Sequence, residues 1–282
     1  MVKSRNVRHV DTPKMLPGGT AVHRNRMLLS PELAEEIDPF LVLMEDWYSQ
    51  GAFQNHPHRG IETVTYMLDG YNSHYDNHGN KGVIGPGEAL WLTAGKGLLH
   101  NEVPVDDRPI HTLQLWVNLP RTDKLIPASF QELKDDRVLR RKLPGAEILV
   151  FSGASGEHVS PTRNHAKVTM VEVRLEPHSL IEQELPADYN GVVVVLEGEG
   201  FIGANAAPTH SGQIARLQYE VEESKVAFAT KNKSLRAILF AGKPLREPII
   251  SRGPFVMNTE EEIDQAFAEF QRMRDRFGLD AV

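Results

Sequence analysis

Cysteine is absent from the 282-residue chain. That absence excludes a disulfide framework, Cys-rich zinc sites, thiolate-held clusters and thiol nucleophiles. No apolar run approaches the roughly eighteen residues needed to cross a bilayer. Residues 1–25 are polar and lack the apolar stretch of a secretory leader. Positive charge is not in excess either. The formal net charge is −7 and the pI near 6.0, which gives no electrostatic case for nucleic-acid binding. The one basic cluster, Arg137 to Lys142, adjoins Asp135 and Asp136 and reads as a solvated linker face. A soluble cytoplasmic protein, with no membrane or direct nucleic-acid partner, is the expectation.

What is present is mostly strand. Short runs such as "LVLMEDWY", "IETVTYML", "EALWLTA", "HTLQLWVNL", "KVTMVEVRLE" and "NGVVVVLEG" are rich in β-branched, aliphatic and aromatic residues. Gly, Pro, Asn and Asp punctuate them, as in "GNKGVIGPGE" and "LPGAE". Many short strands at regular intervals predict an all-β sandwich or barrel. The charged, proline-bearing stretch 120–145 reads as a connector. It divides the chain into 1–130 and 131–282, each about the size of one small barrel.

One helix is expected, near the C-terminus. In "NTEEEIDQAFAEFQRMRDRFG" Thr259 precedes Glu262 by three residues, a capping box. Ile263, Phe267, Phe270, Met273 or Arg274, and Phe277 fall on one stripe, and Gly278 stops it. The stripe predicts a buried face packed on a barrel.

Two histidine pairs stand out against this background. "NHPHRG" places His56 and His58 two apart, and "AGKGLLHNE" does the same for His100 and Glu102. Side chains at i and i+2 of a strand share a face, so two such pairs on neighbouring strands converge. Three imidazoles and a carboxylate form an N/O donor set suited to Fe(II), Mn, Ni, Cu or Zn, with positions left open. The remaining signals point elsewhere. His74 and His78 sit among Asn and Gly in "HYDNHGN" and read as surface loop residues. "GEGFIG", Gly198 to Gly203, matches a dinucleotide fingerprint but no helix follows it. Trp91 and Trp116 read as core. His158, His165, His178 and His210 are scattered, so no second metal site is expected.

The stretches "NHPHRGIETVTYMLDG", "GNKGVIGPGEALWLTAGKGLLHNE", "LQLWVNLP" and "SRGPFVMNTEEEIDQAF" together resemble the pirin family of the cupin superfamily. The resemblance implies two antiparallel β-barrel domains, a bicupin, with metal in the N-terminal one. It implies His56, His58, His100 and Glu102 as ligands of one divalent transition metal, an iron-type site. In bacterial relatives it implies a quercetin 2,3-dioxygenase, acting on a flavonol with dioxygen and releasing carbon monoxide. Glu102 would then act as the base for the flavonol hydroxyl. In animal relatives it implies a transcriptional co-regulator, and so a metal- or redox-sensing protein with a protein partner as the alternative function. Cupins commonly place a Glu three or four residues after H-x-H, and Glu62 has that spacing. Parity puts it on the same face as His56 and His58, so five candidates compete for four positions. The resemblance favours Glu102 and leaves Glu62 a supporting role.

Overall fold

The computed structural model describes residues 2–280. They divide into two compact units. One unit comprises Met15–Glu35, Phe40–Lys134 and the chain from Leu245 onward; the other comprises the segment up to Lys14, Glu36–Pro39 and Asp135–Pro244. Both are built from β-strands, as the alternating and β-branched runs require. Among the described residues no helix is long and apolar enough to cross a membrane.

Ten strands of the unit that carries the paired histidines make its two larger sheets: β1 (His23–Leu29), β2 (Phe40–Tyr48), β3 (His56–His58), β4 (Ile61–Asp69), β5 (Asn72–Asp76), β6 (Lys81–Ile84), β7 (Ala89–Thr93), β8 (Leu98–Pro104), β9 (Ile110–Asn118) and β10 (Ser129–Leu133). Two antiparallel sheets result, with orders β3-β8-β5-β6 and β10-β7-β4-β9-β2-β1. The chain crosses from the smaller sheet to the larger between β3 and β4. It does so at Gly60, whose φ is +78° and whose missing Cβ would lie 2.0 Å from the Val256 carbonyl oxygen. Only glycine fits there.

The sequence-based boundary near residue 130 marks where the first run of strands ends, but the ends of the chain are exchanged relative to it. Strand Val7–Asp11 pairs with Ile214–Leu217, so the N-terminal segment extends the other unit's sheet. The C-terminal segment belongs with the histidine-bearing unit. Its Phe255 bridges to Arg59, and the Val256 amide donates to the Arg59 carbonyl. Lys124, 2% exposed, donates from Nζ to the Gly60 and Val256 carbonyls, each at 2.8 Å, and to Asn118.

The C-terminal helix runs over Glu260–Met273 with the expected capping box, Thr259 Oγ1 accepting from the Glu262 amide and the Glu262 carboxylate accepting from the Thr259 amide. It ends earlier than its apolar stripe. A 3-10 turn, Arg274–Arg276, carries the chain on to Phe277. Ile263, Ala266 and Phe277 are buried with Leu99 of β8 and Phe255, while Phe267 and Phe270 are half-buried at the rim of that cluster. Arg59 ties helix to barrel: its guanidinium lies 4.6 Å over the Phe277 ring and is 2.5 Å from Glu269.

The other unit packs a dense apolar interior. Ile148, Val150, Val171, Val173, Val193, Val195, Phe228 and Leu239 are among a cluster of fully buried residues drawn from its antiparallel strands. Gly198 lies inside the strand Asn190–Ile202, with a φ of +74°, and the turn comes only at 203–206. The strand that follows, Ala207–His210, pairs back on it, which is a hairpin and no nucleotide-binding turn.

Candidate metal centre

β3 and β8 run antiparallel in a register that sets His100 opposite His56 and Leu98 opposite His58. His56, His58 and His100 therefore share one face of adjacent strands. Their ring centroids are 4.4 Å apart for His56–His100, and 5.0 Å for both His56–His58 and His58–His100. One ring nitrogen from each lies within 4.8 Å of the other two. The strand-parity expectation for these three is met.

The electrostatics favour neutral rings. Burial, with His56 alongside, pushes His58 down to about 3. Burial, with His58, His56 and His74 nearby, pushes His100 well below the usual histidine range. Neutral imidazole is the form that ligates a metal. The lone pairs are also unspent. Neither nitrogen of His58 nor Nε2 of His100 makes a hydrogen bond of good geometry; the Pro254 backbone approaches His58 and is the weakest influence on it, behind burial and His56. Leaving a buried polar group unsatisfied costs about 1–3 kcal/mol, and here three such atoms lie in adjoining rings. His56 differs: its Nδ1 is 2.8 Å from the Gln54 carbonyl. Nδ1 is then the donor, and Nε2 keeps its lone pair. A single cation would satisfy this donor set, so the residues present fit a transition-metal ion.

The two carboxylates are placed differently. Glu102 lies on β8 two residues beyond His100, 5% exposed. Its Oε1 accepts from the Thr65 hydroxyl and its Oε2 from the Gln114 amide, both at 2.8 Å. It stands outside the close group of three histidines. Each of its oxygens nevertheless retains a second lone pair. Glu62 is fully buried, and its carboxylate accepts from Thr93, its partner across β4 and β7, at 2.8 Å. Thr65 reaches Glu102, and Glu62 is three residues from Thr65 along a regular strand, so Glu62 points to the opposite face. The expectation that Glu62 shares the face of His56 and His58 is thereby corrected. Parity counting assumes an unbroken extended chain, and the turn at Gly60 resets it.

A second correction concerns His74. It is no loop residue but lies on β5, 1% exposed, directly opposite Glu102. Its Nδ1 is 3.5 Å from His100 Nδ1, its Nε2 is 3.6 Å from Asp76 Oδ2, and its ring stacks on Phe130 at 4.9 Å. His78 remains part-exposed beyond the strand, with Nε2 near the Gly97 carbonyl. The signal for His74 was there: H-x-D has the same two-residue spacing as H-x-H.

Trp91 is fully buried core, whereas Trp116 is half-buried and meets His58 edge-on at 5.1 Å. Trp116 and Gln114 also line a cavity of about 830 Å³ whose walls include Leu41, Val42, Met44 and Phe53. That size suits a drug-sized organic molecule. His23 and Asp46 lie on the same wall, with Nε2 2.7 Å from Oδ1. The Phe53 ring is 4.9 Å from His23 and 6.4 Å from His56. Tyr48 is buried behind Phe53, and its hydroxyl has no hydrogen-bond partner. Burial, and then the charges of Glu102 and Asp46, raise its pKa well above the ordinary value, so it stays a neutral phenol.

Comparison with known proteins gives consistent matches. The Pirin profile covers residues 20–117, and the Pirin C-terminal cupin domain profile covers 170–278. Pirin of Homo sapiens is 35% identical over 267 residues, spanning 92% of this chain and 90% of that protein. The crystal structure of GK1651 from Geobacillus kaustophilus is 41% identical with a TM-score of 0.85, covering 88% of this chain and all of that one. A structure of quercetin 2,3-dioxygenase from Acinetobacter baumannii is 26% identical with a TM-score of 0.86, covering 98% and 99% of the two chains.

Proposed function

The chain belongs to the pirin family of the cupin superfamily, and from that premise we propose that it is a mononuclear-metal dioxygenase that opens flavonol rings with dioxygen. The observation that carries the reading is the cluster of three imidazoles, two of them, His58 and His100, held neutral by burial and with unspent lone pairs, joined through Trp116 and Gln114 to a cavity of about 830 Å³. The likeness to the Acinetobacter quercetin 2,3-dioxygenase supports it.

In this reading His56, His58, His100 and Glu102 hold one divalent transition ion, which we take to be Fe(II). When bound there, the ion would supply Lewis acidity and one-electron chemistry. Glu102 receives the proton of the flavonol 3-hydroxyl, held in place for that transfer by Thr65 and Gln114. Trp116, Phe53, Val42 and Leu41 present apolar surface to the flat ring system and displace water from it. His23 and Asp46 offer a polar pole beside Phe53, suited to a ring hydroxyl remote from the metal.

The test is aerobic turnover of a flavonol by metal-reconstituted, untagged protein, followed by loss of the flavonol absorption band. Turnover that disappears in His58→Ala supports the proposal. A fully metal-loaded protein that leaves flavonols intact overturns it.

A further inference from the structure

Asp76 and His74 are used neither as ligand nor as base in the reading above, yet both are buried, in line behind the buried His100. We propose that His74 and Asp76 are positioning residues that fix the tautomer and orientation of His100, so that it presents Nε2 to the metal; the inference rests on the metal-site reading.

The argument runs outward from the carboxylate. Asp76 Oδ1 accepts from the His78 and Asn80 amides at 2.9 and 3.0 Å, and Oδ2 accepts from Asn80 Nδ2 at 2.8 Å. Burial would raise its pKa, but the contacts with His74 and Asn80 outweigh burial and hold it below the usual carboxylate value. Asp76 is therefore an anchored acceptor. Facing it at 3.6 Å is His74 Nε2, which has no other partner, so Nε2 is the nitrogen that carries the His74 proton. His74 Nδ1 is then a bare lone pair, 3.5 Å from His100 Nδ1. One of those two nitrogens must carry the proton, and it falls to His100. His100 Nε2 is left deprotonated, buried and without a partner, in the cluster with His56 and His58.

The register builds this line. β5 and β8 pair so that His100 faces Asp76 and Glu102 faces His74, which stacks all four side chains on one side of the sheet. Phe130 against the His74 ring limits its rotation. Both contacts are long for hydrogen bonds. A cation on Nε2 acidifies Nδ1–H of the same ring, which strengthens and shortens a bond of this kind. His56 reaches the same result by a shorter route, through the Gln54 carbonyl. Two ligands thus have their tautomers set from behind, one by backbone and one by a second imidazole.

The experiment titrates Co(II), a visible-absorbing probe, into untagged metal-free protein, and measures affinity and the d–d spectrum. His74→Phe keeps a ring against Phe130 but removes both nitrogens. It should weaken Co(II) binding about 10–100-fold and alter the d–d bands. His74→Gln can accept from His100 Nδ1–H and donate to Asp76, and should recover most of the affinity. Asp76→Asn turns a donor toward His74, reverses the proton order, and should behave like His74→Phe. Metal-free melting curves identify any variant that fails to fold; the remaining ones still decide the matter. Wild-type affinity and spectrum in His74→Phe would overturn the relay, and so would a His74→Gln as weak as His74→Phe. A wild-type protein that binds no divalent ion would overturn the metal reading itself, a result distinct from either.

Discussion

The two units use the same strand-rich architecture and fill it in opposite ways. In the unit spanning Asp135–Pro244 Ile, Val, Leu and Phe pack into one large apolar cluster, although Ser152, Thr169, Glu172, Gln183, Thr209 and Thr230 are buried there too. In the unit that carries β1 to β10, His58, His74, His100, Glu102, Thr63 and Thr65 are all buried. A buried polar group without a partner is a standing cost, and an apolar one of similar shape is not. Both units hold buried polar atoms without a hydrogen-bond partner, Arg5 Nη2 and Gln183 Oε1 in the first, but in the second they are ring nitrogens of His58, His74 and His100 gathered in one place. The difference locates function in the second kind of barrel before any chemistry is considered.

The comparison can be broken most forcefully at the ligands. His58→Ala or His100→Ala should lose most metal binding, whereas Phe228→Ala in the other unit should leave metal affinity unchanged. Phe228 is fully buried, and its truncation should cost about 3–5 kcal/mol of stability. Denaturant unfolding alongside metal titration reads both quantities. If Phe228→Ala empties the site, the two interiors are not independent.

A sharper version replaces a ligand by an apolar ring. His58→Phe should abolish metal binding yet leave the metal-free protein at least as stable as wild type, because a buried ring with two unpartnered nitrogens is exchanged for one with none. A large loss of metal-free stability would mean that His58 is a satisfied core histidine.

Acid should act in the same direction. With His58 lowered to about 3 in the folded protein against about 6.5 unfolded, stability is fully present above pH 6.5. It is lost as the pH falls toward 3, because the unfolded chain takes up a proton that the folded one refuses. The metal-free protein should show this loss, and His58→Phe should reduce it. An unchanged pH dependence in the variant would remove His58 from the account.

Much of this was legible in the sequence. The H-x-H and H-x-E spacings placed three imidazoles on one face because strand parity is local and rigid. The capping box placed the helix start for the same reason. What was not legible depends on longer-range geometry. Gly60 turns β3 out of one sheet and β4 into another, so Glu62 faces away from the histidines although its spacing matches the common cupin pattern. His74 escapes a local reading because its Asn- and Gly-rich surroundings describe the turn after β5, not the strand itself. The exchange of chain ends, with Val7–Asp11 on one unit and Phe255–Met257 on the other, is set by pairings over more than two hundred residues in the first case, which no local pattern encodes. Thr65 and Gln114 carried no signal beyond their strands.

The carboxylates sharpen the comparison within one unit. Glu102→Gln should lose metal affinity and flavonol turnover together, since it removes both an anionic donor and the base. Glu62→Gln should keep the metal, because its side chain lies on the opposite face of β4. A site emptied by Glu62→Gln but loaded in Glu102→Gln would reverse the assignment.

The smallest expected effect is at the polar pole. Asp46→Asn should raise KM several-fold for ring-hydroxylated flavonols while leaving 3-hydroxyflavone, which lacks those hydroxyls, nearly unchanged. An equal change for both substrates would remove His23 and Asp46 from substrate recognition.

The central claim, one metal ion held by the histidines of a single barrel, is tested most directly by elemental analysis of untagged protein equilibrated with Fe(II) under anaerobic conditions. The account predicts about one metal per chain, falling to near zero when His56, His58 and His100 are all replaced by alanine. Full metal content in that triple variant would contradict it.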